Sequence, residues 1–240
     1  MSRGVTETMN AMTLGDVRFR YASNLPEVLQ IPKFSVSNGE RVFLYGPSGS
    51  GKSTLLGLVG GLFLPVSGSV SVLGQSFQEM SQAQRDKFRA ENIGFIFQIF
   101  NLIPYLSVLD NVILPTKFGR PISKGFTSIE AEADFLMEQL GISAIKTKKV
   151  SNLSIGQQQR VAAARALIGS PGLIIADEPT SALDADARAG FLQVLFDQAK
   201  REGSSILFVS HDRSLASQFD RQVALHDVNK VASPYDIGAI

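Results

Sequence analysis

The stretch Gly46-Pro47-Ser48-Gly49-Ser50-Gly51-Lys52-Ser53, continued by Thr54, decides the fold. Its glycines let successive backbone N–H groups close around phosphate oxygens. Lys52 adds a point charge and Ser53 offers a hydroxyl to Mg²⁺. The flanks agree with that reading, because Arg41–Tyr45 (RVFLY) is an apolar, strand-like run and Lys52–Leu62 reads as a helix. A helix starting at the loop turns its unpaired N–H groups and the positive end of its dipole toward the phosphates. The loop indicates a nucleotide, and the strand–loop–helix order indicates an α/β sheet.

Two later stretches add chemistry. Leu173-Ile-Ile-Ala-Asp-Glu-Pro179 has the apolar run of a strand buried on both faces, with Asp177 and Glu178 at its C-terminal end, where open α/β sheets place ligands. Neighbouring strand residues point to opposite sides, so the two carboxylates divide the work. Asp177 is placed to hold Mg²⁺ with Ser53, and Glu178 is free to polarise a water aimed at the γ-phosphate. Leu153-Ser-Ile-Gly-Gln-Gln-Gln-Arg160 opens a helix. Ser154 and Gly156 there offer a hydroxyl and free N–H groups to an anion, a second phosphate clamp. One chain can hardly fold both clamps around one nucleotide.

Taken in order, these segments resemble the nucleotide-binding subunit of an ABC transporter, over about Leu14 to Val231. Gly46–Thr54 is similar to the Walker A segment, Leu153–Arg160 to the signature and Leu173–Pro179 to Walker B. Gln98 resembles the Q-loop glutamine, Ser181-Ala-Leu-Asp184 the D-loop, His211 the switch histidine, and Tyr21 the aromatic that stacks on adenine. The resemblance implies an ATPase that uses ATP and Mg²⁺. Nucleotide contacts would come from Tyr21, Gly46, Pro47, Ser48, Gly49, Ser50, Gly51, Lys52, Ser53 and Thr54 of one subunit. Ser154, Gly156 and Gln157 of another would complete them, in a head-to-tail dimer. Glu178, His211, Gln98 and Lys52 would be catalytic, with Ser53, Gln98 and Asp177 at the metal. Ile155 stands where the family commonly has glycine, and a β-branched residue there predicts a negative φ.

Phe97–Val112 resembles the branch that serves lipoprotein release, macrolide export and cell division. This implies an integral membrane permease, FtsX/MacB-like, docking near Phe100–Leu106, where Phe100, Leu102, Ile103, Tyr105 and Leu106 cluster. It also implies a peripheral place on the cytoplasmic face of the inner membrane. The alternative is a soluble ABC-type ATPase acting on DNA or the ribosome. Such proteins usually carry zinc cysteines, a coiled coil or a second cassette, and the sequence has no cysteine, no heptad run and one phosphate loop.

Composition sets the outer bounds. The 240 residues suit one α/β domain with a helical insertion. A net charge of +1 gives no basic field for nucleic acid, and the absence of cysteine removes disulfides and thiolate metal sites. The most apolar long stretch, Val161–Ala176, is interrupted by Arg165 and Pro171 and is too short to span a bilayer. The expected architecture is an α/β P-loop NTPase of the ABC type, with N-terminal antiparallel strands and an inserted α-helical subdomain. Residues 1–12 read as a flexible tail, 13–97 and 152–240 as the ATPase core with its β subdomain, and 98–151 as the helical subdomain.

Overall fold

The computed structural model describes residues 10–181 and 183–231. The chain opens with strands β1 (Asn10–Phe19), β2 (Leu29–Ser37) and β3 (Arg41–Tyr45), helix α1 (Lys52–Val59), and strands β4 (Ser67–Val72) and β5 (Gln75–Ser76). Next come α2 (Gln82–Asn92), β6 (Ile93–Ile96), α3 (Val108–Ile113), α4 (Ile129–Gln139) and α5 (Ile155–Leu167). The last elements are β7 (Leu173–Asp177), α6 (Ala185–Glu202), β8 (Ser205–Val209), β9 (Arg221–Ala224) and α7 (Leu225–Val228).

Two sheets form. One is antiparallel in the order β2-β1-β4-β5, and the other is β6-β7-β8-β3-β9, parallel throughout. In the parallel sheet successive residues feed two different cores. Val42, Leu44, Leu173, Ile175, Leu207 and Val209 face the antiparallel sheet and α1. Phe43, Ile174, Ala176, Ile206 and Phe208 face the helices α3 to α6. Both faces are therefore covered, which explains why these strands read as unbroken apolar runs. α3, α4 and α5 pack on one another, and α5 also lies against β6.

The antiparallel sheet corrects the expected tail. β1 starts at Asn10, so Asn10, Ala11 and Met12 belong to a strand, and residues 1–9 lie outside the described residues. The alternation that marks a strand is broken here by register shifts, between Asn10 and Met12 and again between Gly15 and Arg18. Ala11 and Met12 are consequently both buried. At the second shift Asp16 takes a left-handed φ of 51°, a geometry found where a bulge bends a strand. Gly15 and Asp16 nevertheless lie inside a continuous strand.

Helix ends follow local chemistry. Ser81 and Gln84 form a reciprocal capping box at the start of α2. α1 stops at Val59, short of the expected Leu62, because Gly60 and Gly61 follow and Gly61 adopts φ 69°. No described helix is long and apolar enough to cross a membrane.

Candidate active site

β3 delivers the phosphate loop and α1 receives it. Gly49 and Gly51 hold φ of 76° and 101°, values that favour glycine, and they turn the loop so that α1 begins at Lys52. Lys52 Nζ donates to the carbonyls of Gly46 at 2.8 Å and Pro47 at 2.9 Å, folding its charge over the loop. A cleft of about 580 Å³ opens in front. Tyr21, Gly46, Pro47, Ser48, Gly49, Gly51, Lys52, Ser53, Thr54, Gln98, Asp177, Glu178 and His211 all line it. Residues far apart in sequence thus meet at the C-terminal ends of β3, β6, β7 and β8. Ser50 does not line the cleft; its hydroxyl is buried under the loop without a partner.

The two carboxylates occupy different surroundings. Asp177, the last residue of β7, accepts a hydrogen bond from Ser53 Oγ at 3.1 Å. Burial holds its carboxyl above the usual range, and the charge of Glu178 adds to that while the Ser53 bond opposes it. Two hard oxygen groups side by side, one of them a carboxylate short of compensating charge, suit a hard divalent cation. Glu178 follows the strand at φ 48°, an uncommon conformation for a residue with a side chain. Its N–H donates to Val209 O at 2.9 Å. Glu178 is 8% exposed, and its Oε2 lies 2.8 Å from His211 Nδ1. The glutamate and the histidine therefore form one hydrogen-bonded pair over the cleft.

Tyr21 is 56% exposed, and its hydroxyl shares a hydrogen bond of 2.8 Å with Thr54 Oγ1. Its ring meets Phe19 and Phe63 edge to face. One face of the site thus ends in a tethered aromatic, a surface on which a base could stack.

The signature residues do not line this cleft. Ser154 caps α5, accepting from Gln157 N–H, while Gln157 Oε1 accepts from Ser154 N–H at 3.1 Å. Ile155 is the first residue of α5 and has no positive φ, and its side chain is exposed. Ser154 and Ile155 are exposed at this helix start, and Gly156 and Gln157 are partly buried.

Some organising residues lie outside the sequence motifs. Arg188 on α6 donates to Leu183 O at 3.2 Å in the D-loop and pairs with Asp212, next to His211. Arg120 is buried and donates to the carbonyls of Ala90, Ile93, Ala166 and Ile168, which ties the ends of α2 and α5 to β6. Glu132 is wholly buried and accepts from Ser123 and Gly169 N–H groups at 3.0 and 2.6 Å. Arg165 donates to Phe100 O and Asn101 O. A charge set in an otherwise apolar helical run is a readable signal that it finds backbone partners inside, and Arg165 carries that signal.

The expected docking segment is partly open. Tyr105 is 72% exposed and Leu102 packs against the core. Asn111 fastens the segment, accepting from Ile103 N–H at 2.8 Å and donating to Ile103 O at 3.0 Å. Ile99 is 82% exposed and Phe118 64%, two apolar groups that the sequence does not single out. Phe118 lines an apolar cleft of about 610 Å³ together with Phe95, Phe97, Asn101 and Arg165 among others.

Comparison with known proteins gives one consistent picture. Residues 29–181 match the family described as ABC transporter. The lipoprotein-releasing system ATP-binding protein LolD of Xanthomonas oryzae pv. oryzae (strain MAFF 311018) is 38% identical over 192 residues, 80% of this chain and 78% of that one. A dimeric post-hydrolysis state of the ATP-binding cassette MJ0796, bound to ADP and Pi, aligns with a TM-score of 0.79 at 34% identity. That alignment covers 89% of this chain and 93% of that one. CbiO1 from Clostridium perfringens, part of the transporter complex cbiONQ, aligns at 0.77 and 26% identity over 90% and 84% of the two chains.

Proposed function

Because this chain belongs to the ABC transporter family, as an ATP-binding and ATP-hydrolysing subunit, we propose a division of labour among its cleft residues and a membrane partner for its outer face. Family membership sets aside the soluble alternative of work on DNA or the ribosome.

The phosphate loop and Lys52 hold the triphosphate, and Tyr21 stacks on the base. Ser53, Asp177 and Gln98 would hold Mg²⁺, which when bound neutralises charge on the phosphate oxygens. Glu178 accepts the proton of the attacking water, and His211, bonded to it at 2.8 Å, holds the glutamate in place. The carrying observation is that the Ser53–Asp177 and His211–Glu178 pairs sit in one cleft with the phosphate loop and Gln98.

The signature end of α5 lies outside that cleft, so its Ser154, Gly156 and Gln157 act on a nucleotide held by a second copy. ATP binding closes a head-to-tail dimer, and hydrolysis lets it reopen. The ligand drives closure by binding the closed state better than the open one. The dimeric MJ0796 cassette supports this arrangement.

The dimer works on an integral permease of the FtsX/MacB-like kind, at the cytoplasmic face of the inner membrane, where this chain is peripheral. The exposed Ile99 and Tyr105, with Phe118 and Asn101 lining an apolar cleft, support a docking face around Phe100–Leu106. A short amphipathic permease helix would fit such a groove. The test replaces Ile103 and Tyr105 with serine and compares soluble ATPase activity with partner co-purification from membranes. Activity persists while co-purification and partner-dependent stimulation fall. Full co-purification of both variants would place the docking face elsewhere.

A further inference from the structure

Arg165 is the sole charged residue in the run Val161–Ala176. Its guanidinium leaves α5 and forks onto two consecutive main-chain oxygens, Nη2 to Phe100 O at 2.6 Å and Nη1 to Asn101 O at 2.7 Å. No salt bridge to it forms among the described residues. Burial lowers its pKa to about 10, still well above neutrality, so the fork keeps its charge.

The residues it grips are unusual. Phe100 and Asn101 both have left-handed backbone, φ 53° and 49°, a region that disfavours side chains. Phe100 N–H donates to Phe97 O at 3.0 Å, which puts Gln98 and Ile99 at the centre of one turn. Asn101 N–H then donates to Ile99 O at 2.5 Å, a three-residue turn centred on Phe100, a type that is rare and strained at positive φ. Two successive turns thus lead from Gln98 to the carbonyls held by Arg165.

We propose that Arg165 is a positioning residue for Gln98: the fork from α5 holds the two-turn segment and so sets where the Gln98 side chain stands in the nucleotide cleft. The same helix begins with the signature, about 15 Å away along its axis at 1.5 Å per residue. Movement of the signature end against a second copy's nucleotide therefore reaches this subunit's own Gln98 through one rigid helix and one side chain. The inference rests on the role proposed above for Gln98 in holding Mg²⁺.

Arg165→Lys keeps the charge and loses the planar fork that matches two neighbouring acceptors. Its kcat for ATP falls about tenfold, the scale of one charge-assisted hydrogen bond, with KM unchanged to within about twofold. In a Gln98→Ala background the same substitution costs less than about twofold, because it acts through the missing group. Phe100→Gly restores kcat severalfold in the Arg165→Lys chain, since glycine holds left-handed backbone without a clamp. The chain has no tryptophan, so Ile99→Trp introduces a single fluorescent probe into the turn. Its fluorescence anisotropy drops when Arg165→Lys is added.

Wild-type kcat in Arg165→Lys, or a full tenfold further loss in the Gln98→Ala background, overturns the proposal. So does a thermal-stability loss in Arg165→Lys that leaves both kcat and the anisotropy of the Ile99→Trp probe unmoved. Normal turnover of Gln98→Ala alone would instead remove the role of Gln98 itself, a result separable from the others because Arg165 is then intact.

Discussion

Glu178→Gln separates the base from everything else at the site. Glutamine matches glutamate in size, so it fits a position only 8% exposed and keeps an amide group toward His211. The main-chain bond to Val209 O and the positive φ are backbone features that a side-chain swap leaves alone. The lost negative charge is one of the influences that raise the Asp177 pKa, so the neighbouring carboxylate is relieved rather than disturbed. Fold stability is therefore preserved while the proton acceptor is gone. Removing a general base costs about 10²–10⁴-fold in rate, or roughly 3–5 kcal/mol of barrier. Phosphate release should fall by that factor with ATP binding intact. In the proposed cycle hydrolysis reopens the dimer, so the variant accumulates as an ATP-bound dimer, visible by size-exclusion chromatography with ATP. Turnover within about threefold of wild type would refute the assignment, since no general base is worth so little.

Asp177→Asn tests the metal half. Burial, helped by Glu178, holds the Asp177 carboxyl above its ordinary 3.8. Between the unfolded pKa and the raised folded one, the native chain binds more protons, so this group's contribution to stability falls as pH rises through that window. The asparagine variant should unfold at a higher temperature than wild type at neutral pH without nucleotide, and lose Mg²⁺-dependent hydrolysis. Thermal melts from about pH 4 to 8 read both the gain and its pH dependence, and a lower melting temperature would contradict it. Gly94→Ala probes the seam between β6 and α5. An added Cβ would lie 2.3 Å from Ala166 O and 3.0 Å from Pro171 Cγ, an overpacking that costs about 1–3 kcal/mol. At about 2–4 °C per kcal/mol for a chain of this size, the melting temperature should drop by roughly 2–12 °C.

What could be read in the sequence was whatever lies contiguous in it. The phosphate loop, the Asp177–Glu178 pair and the capping sequence at Ser154 carry their chemistry within a few residues, and local physics forms them in place. β3 and β7 were legible for a related reason, since burial on both faces leaves apolar runs. β1 was not legible at its start, where residues 10–12 read as part of a tail. Its first half contains a bulge that buries Ala11 and Met12 side by side, and a period-two search fails at such a place. Arg120 and Ser123, between α3 and α4, carry no local signal, yet both are buried, held by carbonyls and by Glu132 from distant elements.

The backbone strain was beyond sequence altogether. Nothing in Asp-Glu-Pro predicts φ 48° at Glu178, and nothing in Phe-Asn predicts two left-handed residues after Gln98. Such conformations persist only where tertiary partners hold them, here Val209 O and the Arg165 fork. One strained point is Glu178, proposed to act on the attacking water, and the other lies two residues from Gln98, proposed to hold Mg²⁺. A segment held in a costly conformation by a few named bonds can be shifted by a small relative movement of the element that holds it. The strain at Glu178 and at Phe100–Asn101 therefore lies where a shift of α5 or β8 would reach the residues proposed to act in hydrolysis, through Val209 O and the Arg165 fork.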